Sequence, residues 1–142
     1  MTDHFLFSAP LLEACSNALA AYASQQAGVD AVVLSSADGQ QLSRATFDTD
    51  LANRMSAVTS SLFALGEVTS REAQLGVCNH VIVESTNGRM LVFSIPLLPD
   101  WLVLSIVAKK DALLGALLWS GGNLAEELRE RFEQALVASR GH

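Results

Sequence analysis

The segments Met90–Ile95 (MLVFSI) and Trp101–Ala108 (WLVLSIVA) are apolar at odd and even positions alike, yet only five residues separate them. So short a connection joins antiparallel strands, because a parallel crossover needs about a dozen residues or more. An antiparallel strand with one covered face alternates apolar and polar side chains. These two strands do not alternate, so other elements must cover both faces of the sheet at its middle. A chain of 142 residues, half of them apolar, can build such a core as one domain spanning residues 1–142.

The covering elements are legible as helical periodicity. Pro10 suits a first helical turn, and Leu11, Cys15, Ala18, Leu19 and Tyr22 then share one face of a helix that ends before Gly28. Asp30–Ser36 and Gln41–Ala45 read as a hairpin around Ala37-Asp38-Gly39. Asp48 or Thr49 caps a second helix, whose stripe of Leu51, Met55, Val58, Leu62 and Leu65 is the expected core face. The polar segment Glu67–Gln74 extends that helix or forms a loop. Val77–Ser85 is the next strand, and Asn87-Gly88 predicts a tight turn with positive φ leading into Met90–Ile95.

A third helix, capped by Asp111, runs through Leu113, Leu114, Leu117, Leu118, Leu124, Leu128, Phe132 and Leu136. Gly121-Gly122 in its middle predicts a kink, or else a break into two helices. The element order is α-β-β-α-β-β-β-α. The expected class is α+β, a five-stranded antiparallel sheet held between helices.

The residue inventory narrows the chemistry. Nine Lys and Arg against fifteen Asp and Glu give a net charge of −6, and the cations are scattered, which disfavours nucleic acid and anionic membranes as partners. His4 and His142 lie at the chain ends, leaving His80 as the one internal imidazole. Cys15 and Cys78 are too far apart for a CxxC motif and suit a reducing, cytoplasmic setting. Cys78 and His80 could share a strand face, but two ligands do not make a zinc site. P-loop, GxGxxG and GxSxG strings are absent. Trp101 and Trp119 each sit in an apolar run and are expected in the core or an interface. The expectation is therefore no catalytic residue, no cofactor and no metal. The apolar stretch Phe5–Ala21 has Asp3 before it and Glu13 within it, and reads as an amphipathic helix rather than a signal peptide. Pro96, Pro99 and Asp100 before Trp101, with Lys109, Lys110 and Asp111 after Ala108, leave no membrane span.

The anomaly lies on the second helix. From Met55 to Gly66 (MSAVTSSLFALG) twelve residues pass without a charge, whereas a helix face in water is usually charged. Asn53, Ala57, Ser60 and Ala64 oppose the apolar stripe with small uncharged side chains, and Phe63 adds an aromatic anchor of the kind interfaces use. Val77–Ser85 (VCNHVIVES) is long, β-rich and free of Pro and Lys, and the chain order allows it to lie at a sheet edge. One isologous dimer, strand on strand and helix beside helix, answers both anomalies. The expected interface is Ala52, Ser56, Thr59, Ser60 and Phe63 of the helix with Val77, Asn79, Val81 and Val83 of the strand. Asn53, Ala57 and Ala64 are left for a further partner.

The segments DAVVLSSADGQQLSRA (Asp30–Ala45), LGVCNHVIVESTNGRMLVFSIPL (Leu75–Leu97) and WLVLSIVAKKDALLGALL (Trp101–Leu118), in this order of elements, resemble the roadblock family of dynein-light-chain-like domains. The resemblance implies a sheet with the second helix on one face and the first and third on the other. It also implies dimers joined through the third strand and second helix. Members of that family act as scaffolds or regulators of small Ras-like GTPases or as cargo adaptors, without chemistry of their own, and bacterial relatives are similar to GTPase-activating partners of polarity switches. The expectation is thus a non-enzymatic homodimer that presents a paired-helix platform to a small Ras-like GTPase. The alternatives are a small-molecule sensor with an apolar cavity near Trp101 or Phe93, and a purely structural adaptor.

Overall fold

A computed structural model describes residues 8–46, 48–97 and 100–140. His4, Phe5, Pro99 and His142 lie outside the described residues. The elements are α1 (Ala9–Gln25), β1 (Val29–Ser36), β2 (Gln41–Ala45), α2 (Thr49–Glu72), β3 (His80–Ser85), β4 (Gly88–Leu97), β5 (Asp100–Lys109) and α3 (Leu114–Arg140). They follow the expected order and form a single antiparallel sheet with strand order β2-β1-β5-β4-β3.

The central position of β5 explains its unbroken apolar run. Leu102, Leu104, Ile106 and Ala108 pack with α1 and α3, while Val103 meets Phe63 of α2 on the other face. Ser105 is fully buried and donates to the Val33 carbonyl at 3.4 Å, which satisfies its hydroxyl. The larger core lies on the α1/α3 face, with Cys15, Leu19, Leu91, Phe93, Leu117, Leu128 and Phe132 among its members. The α2 face is thinner and holds two small clusters, one around Phe63 and Val92, the other around Met55 and Val33.

Two expectations need correction, and one open reading is resolved. First, α3 does not begin at Asp111 and does not break at Gly121-Gly122: it is one helix from Leu114 to Arg140, and Leu113 is exposed. Gly121 is there for room. A Cβ at that position would lie 2.7 Å from Phe93 Cε2 and 2.9 Å from Ile106 Cδ1, so glycine lets the helix backbone rest on the sheet. Second, the β3–β4 hairpin pairs Ser85 with Gly88 and turns on Thr86-Asn87. Gly39 has the left-handed φ expected of a turn glycine (+92°), but neither Asn87 nor Gly88 does. Gly88 is required because a Cβ would meet the Ala108 carbonyl oxygen at 2.5 Å. Of the two readings of the polar segment the helical one holds: it continues α2 to Glu72, where the helix closes with the Leu75 N–H on the Ser70 carbonyl (2.8 Å) and the Gln74 N–H on the Arg71 carbonyl (3.1 Å). This is a Schellman ending whose left-handed residue is Gln74 (φ 58°) rather than glycine.

Candidate functional site

The second helix is built to lie close to the sheet. Asp48 caps it, its side chain accepting the Leu51 N–H at 2.9 Å. The inward face is Ala52, Met55, Ser56, Thr59, Ser60 and Phe63, all buried. Three of these carry hydroxyls, and each hydroxyl is satisfied. Ser56 donates to the Ala52 carbonyl (2.9 Å) and Thr59 to the Met55 carbonyl (2.6 Å), one turn back, while Ser60 donates across to the Ser36 carbonyl of β1 (2.9 Å). With their polar atoms returned to backbone, these small residues bury without penalty and hold the helix near the sheet. The β1–β2 turn closes on the same helix: a Cβ at Gly39 would lie 3.3 Å from Ala57 Cα.

The sequence reading placed the inward face about a quarter turn away from where it lies. Val58 is 60% exposed and Leu65 63% exposed, and Leu51 and Leu62 are only half-buried, so of the expected core stripe Met55 alone is fully inside. Conversely, Ala52, Ser56, Thr59, Ser60 and Phe63, expected at a dimer interface, are covered by the chain's own sheet and offer no surface to a second copy. Side-chain size, read without hydroxyl-to-backbone bonding, misassigns the face. Asn53, Ala57 and Ala64 are exposed, as a partner-binding assignment requires.

The exposed stripe is continuous with the sheet edge. Leu62 packs with Phe63, Cys78 and Val92, and a Cβ at Gly66 would meet Val81 Cγ2 at 2.8 Å and Cys78 Sγ at 3.1 Å. The stripe side of α2 therefore leans toward β3, while Ala57 leans toward the β1–β2 turn. Val68 extends the apolar surface along the helix, and the connector adds Leu75 (74% exposed) and Val77 (77%). Beside it, β3 pairs only with β4 and leaves its other edge free among the described residues.

That edge strand starts at His80, three residues later than expected. Val77 and Asn79 consequently belong to the exposed connector, whereas Val81 and Val83 are half-buried strand residues facing α2. Cys78 and His80 share no strand face. The Cys78 thiol packs beneath α2, and the His80 ring lies 5.9 Å from the Phe93 ring. No cluster of three or more His, Cys, Asp or Glu side chains able to hold a metal occurs among the described residues.

Neither tryptophan is a core residue: Trp101 is 36% exposed and Trp119 74%. The space near Phe93 is filled by the close approach of Gly121. A cleft of about 330 Å³ opens elsewhere, between α1 and α3, where Tyr22 and Trp119 are among the lining residues and the Tyr22 hydroxyl bonds Ser120 Oγ at 2.9 Å. Below it, burial pushes the Cys15 thiol up to about 11, with Arg131 and Glu127 as smaller opposing influences. No helix among the described residues is long and apolar enough to cross a membrane.

Comparison with known proteins agrees with this architecture. No curated protein matches the chain. A Roadblock/LC7 domain from Streptomyces avermitilis superimposes with a TM-score of 0.74 at 23% identity, covering 81% of this chain and 94% of that one. The gliding protein MglB from Thermus thermophilus gives a TM-score of 0.77 at 12% identity, covering 89% and 94%. A structure of MglB in a tetrameric arrangement gives 0.76 at 17% identity, covering 91% and 94%. The Roadblock/LC7 domain family model matches residues 18–95, more than half the chain and the span that holds both α2 and β3. With sheet order, helix placement and sequence match in agreement, the chain belongs to the Roadblock/LC7 domain family.

Proposed function

We propose that this protein is a non-enzymatic, cytoplasmic regulator or scaffold of a small Ras-like GTPase and works as a homodimer. One observation carries the reading: an uncharged apolar stripe, exposed at Val58 and Leu65 with half-buried Leu62 between them and continued by Leu75 and Val77, lies beside a strand edge that is unpaired among the described residues. Two copies related by a twofold axis remove both liabilities at once, β3 pairing with β3 and stripe covering stripe. The interface differs from the sequence expectation in its helix residues. It uses the outer side of α2, and the hydroxyl-rich inner side stays within each copy.

The paired helices then form a platform on which Asn53, Ala57 and Ala64 of each copy remain open to the GTPase. Small uncharged side chains permit close approach of a switch segment, and the catalytic groups for hydrolysis belong to the GTPase. Membership of the Roadblock/LC7 family and likeness to MglB support the regulatory role. The experiment is sedimentation of the purified chain, followed by binding to a panel of small Ras-like GTPases loaded with GDP or a GTP analogue. A dimer that prefers one nucleotide state supports the reading. A monomer at micromolar concentration, or absence of binding to every GTPase tested, contradicts it. A purely structural adaptor would bind both nucleotide states equally.

A further inference from the structure

The cleft between α1 and α3 lies on the sheet face opposite α2, so it stays open whether or not the proposed dimer forms. Three features of this cleft independently favour a cation. Trp119 stands at its wall and is 74% exposed, a large aromatic side chain left uncovered by the described residues. Glu127 lines it, and its ion pair with Arg131 is long (3.4 Å) and half in water. The last turn of α1 ends at the cleft through Gln25 and Gln26 and contains no basic residue, so no cationic side chain of that turn offsets the negative end of the helix dipole there.

We propose that this cleft is a docking site for an arginine side chain carried by a basic segment of a partner protein. The guanidinium plane stacks on the Trp119 indole beside the amide oxygens of Asn123 and Gln25, and the Glu127 carboxylate, two helical turns from Trp119 along the same cleft, attracts it by charge. A lysine offers a point charge without the stacking plane, which makes arginine the better fit. The volume of about 330 Å³ accommodates one long side chain rather than a folded element. The net charge of −6 draws a basic segment toward the surface. Because α1 and α3 build the cleft within one copy, the site depends on neither the dimer nor the GTPase reading.

Two-dimensional ¹H–¹⁵N NMR of the full chain tests this, since each of its two indoles gives a separate signal. Titration with capped Gly-Arg-Gly at moderate salt is expected to shift the Trp119 indole N–H saturably while the Trp101 signal stays still. Glu127→Gln is expected to weaken binding by about threefold or more, Asn123→Asp to tighten it, and capped Gly-Lys-Gly to bind more weakly. A shift that never saturates, an equal response to capped Gly-Gln-Gly, or unchanged affinity in Glu127→Gln overturns the proposal. The backbone spectrum of each variant reports whether the fold is intact.

Discussion

Replacing Leu65 with aspartate separates the outer and inner faces of α2. Leu65 is 63% exposed in the single chain, so the substitution removes little folding energy there, within about 0.5 kcal/mol for a surface change. In a twofold dimer the same residue is buried twice. Full burial of a leucine contributes about 1.5–3 kcal/mol, so covering the exposed two-thirds contributes about 1–2 kcal/mol per copy, or about 2–4 kcal/mol per dimer. Losing it raises the dissociation constant about 30- to 1000-fold, before any cost of burying the carboxylate. Phe63→Ala does the opposite. Phe63 is 1% exposed and packs with Cys78, Val92 and Val103, so its truncation costs about 3–5 kcal/mol of folding stability in each copy. Sedimentation equilibrium gives the dissociation constant, and urea denaturation at a concentration below it gives the monomer stability. If Leu65→Asp unfolds the monomer, or leaves dimerisation at wild-type strength, the assignment of the two faces is wrong.

Other consequences follow from single residues. Gly121→Ala, whose Cβ would meet Phe93 and Ile106 below 3 Å, should destabilise by about 1–3 kcal/mol, whereas Gly122→Ala, with open space around it, should stabilise by about 1 kcal/mol; urea midpoints distinguish the two. Gln74→Gly relieves a left-handed backbone at the end of α2 and should raise stability by about 0.5–1 kcal/mol, read as a higher thermal midpoint. The Cys15 thiol is held up at about 11 from an ordinary value of 9.0, so between these values the folded state retains a proton that the unfolded state releases. That stabilisation is complete below pH 9 and is lost as the pH rises toward 11, a fall of about 2 kcal/mol. Tyr22, whose hydroxyl is also raised by burial, adds to the fall in the same direction. Stability measured by urea at pH 8.5 and 10.5 should drop less in Cys15→Ala than in wild type, and equal drops would contradict the assignment.

Backbone-level features were legible in the sequence where one force dominated. The two-sided apolar runs of β4 and β5 demanded a covered sheet, and the chain order allowed the edge position that β3 takes. The face of α2 was not legible, because two forces compete there. Apolar size favoured burying Val58 and Leu65, but Ser56, Thr59 and Ser60 satisfy their hydroxyls on nearby carbonyls and allow a closer helix–sheet approach. Glycine was ambiguous in the same way. Gly121 and Gly88 looked like a helix breaker and a turn residue, yet both are needed for the space a Cβ would occupy. The exposure of Trp119 was hidden by its apolar neighbours, since periodicity locates a helix better than it locates the boundary between core and groove. The uncharged run from Met55 to Gly66 was the signal that led to the proposed interface, although it identified the helix and not which of its sides faces outward.

Amide hydrogen exchange along β3, measured above and below the dissociation constant, probes the proposed assembly at its central contact. The outward-facing N–H groups between His80 and Ser85 have no partner strand among the described residues. If two copies join edge to edge, those amides become protected at high concentration, exchange freely on dilution, and stay unprotected at all concentrations in Leu65→Asp. Equal exchange at both concentrations in the wild-type chain would contradict the shared sheet and the platform that depends on it.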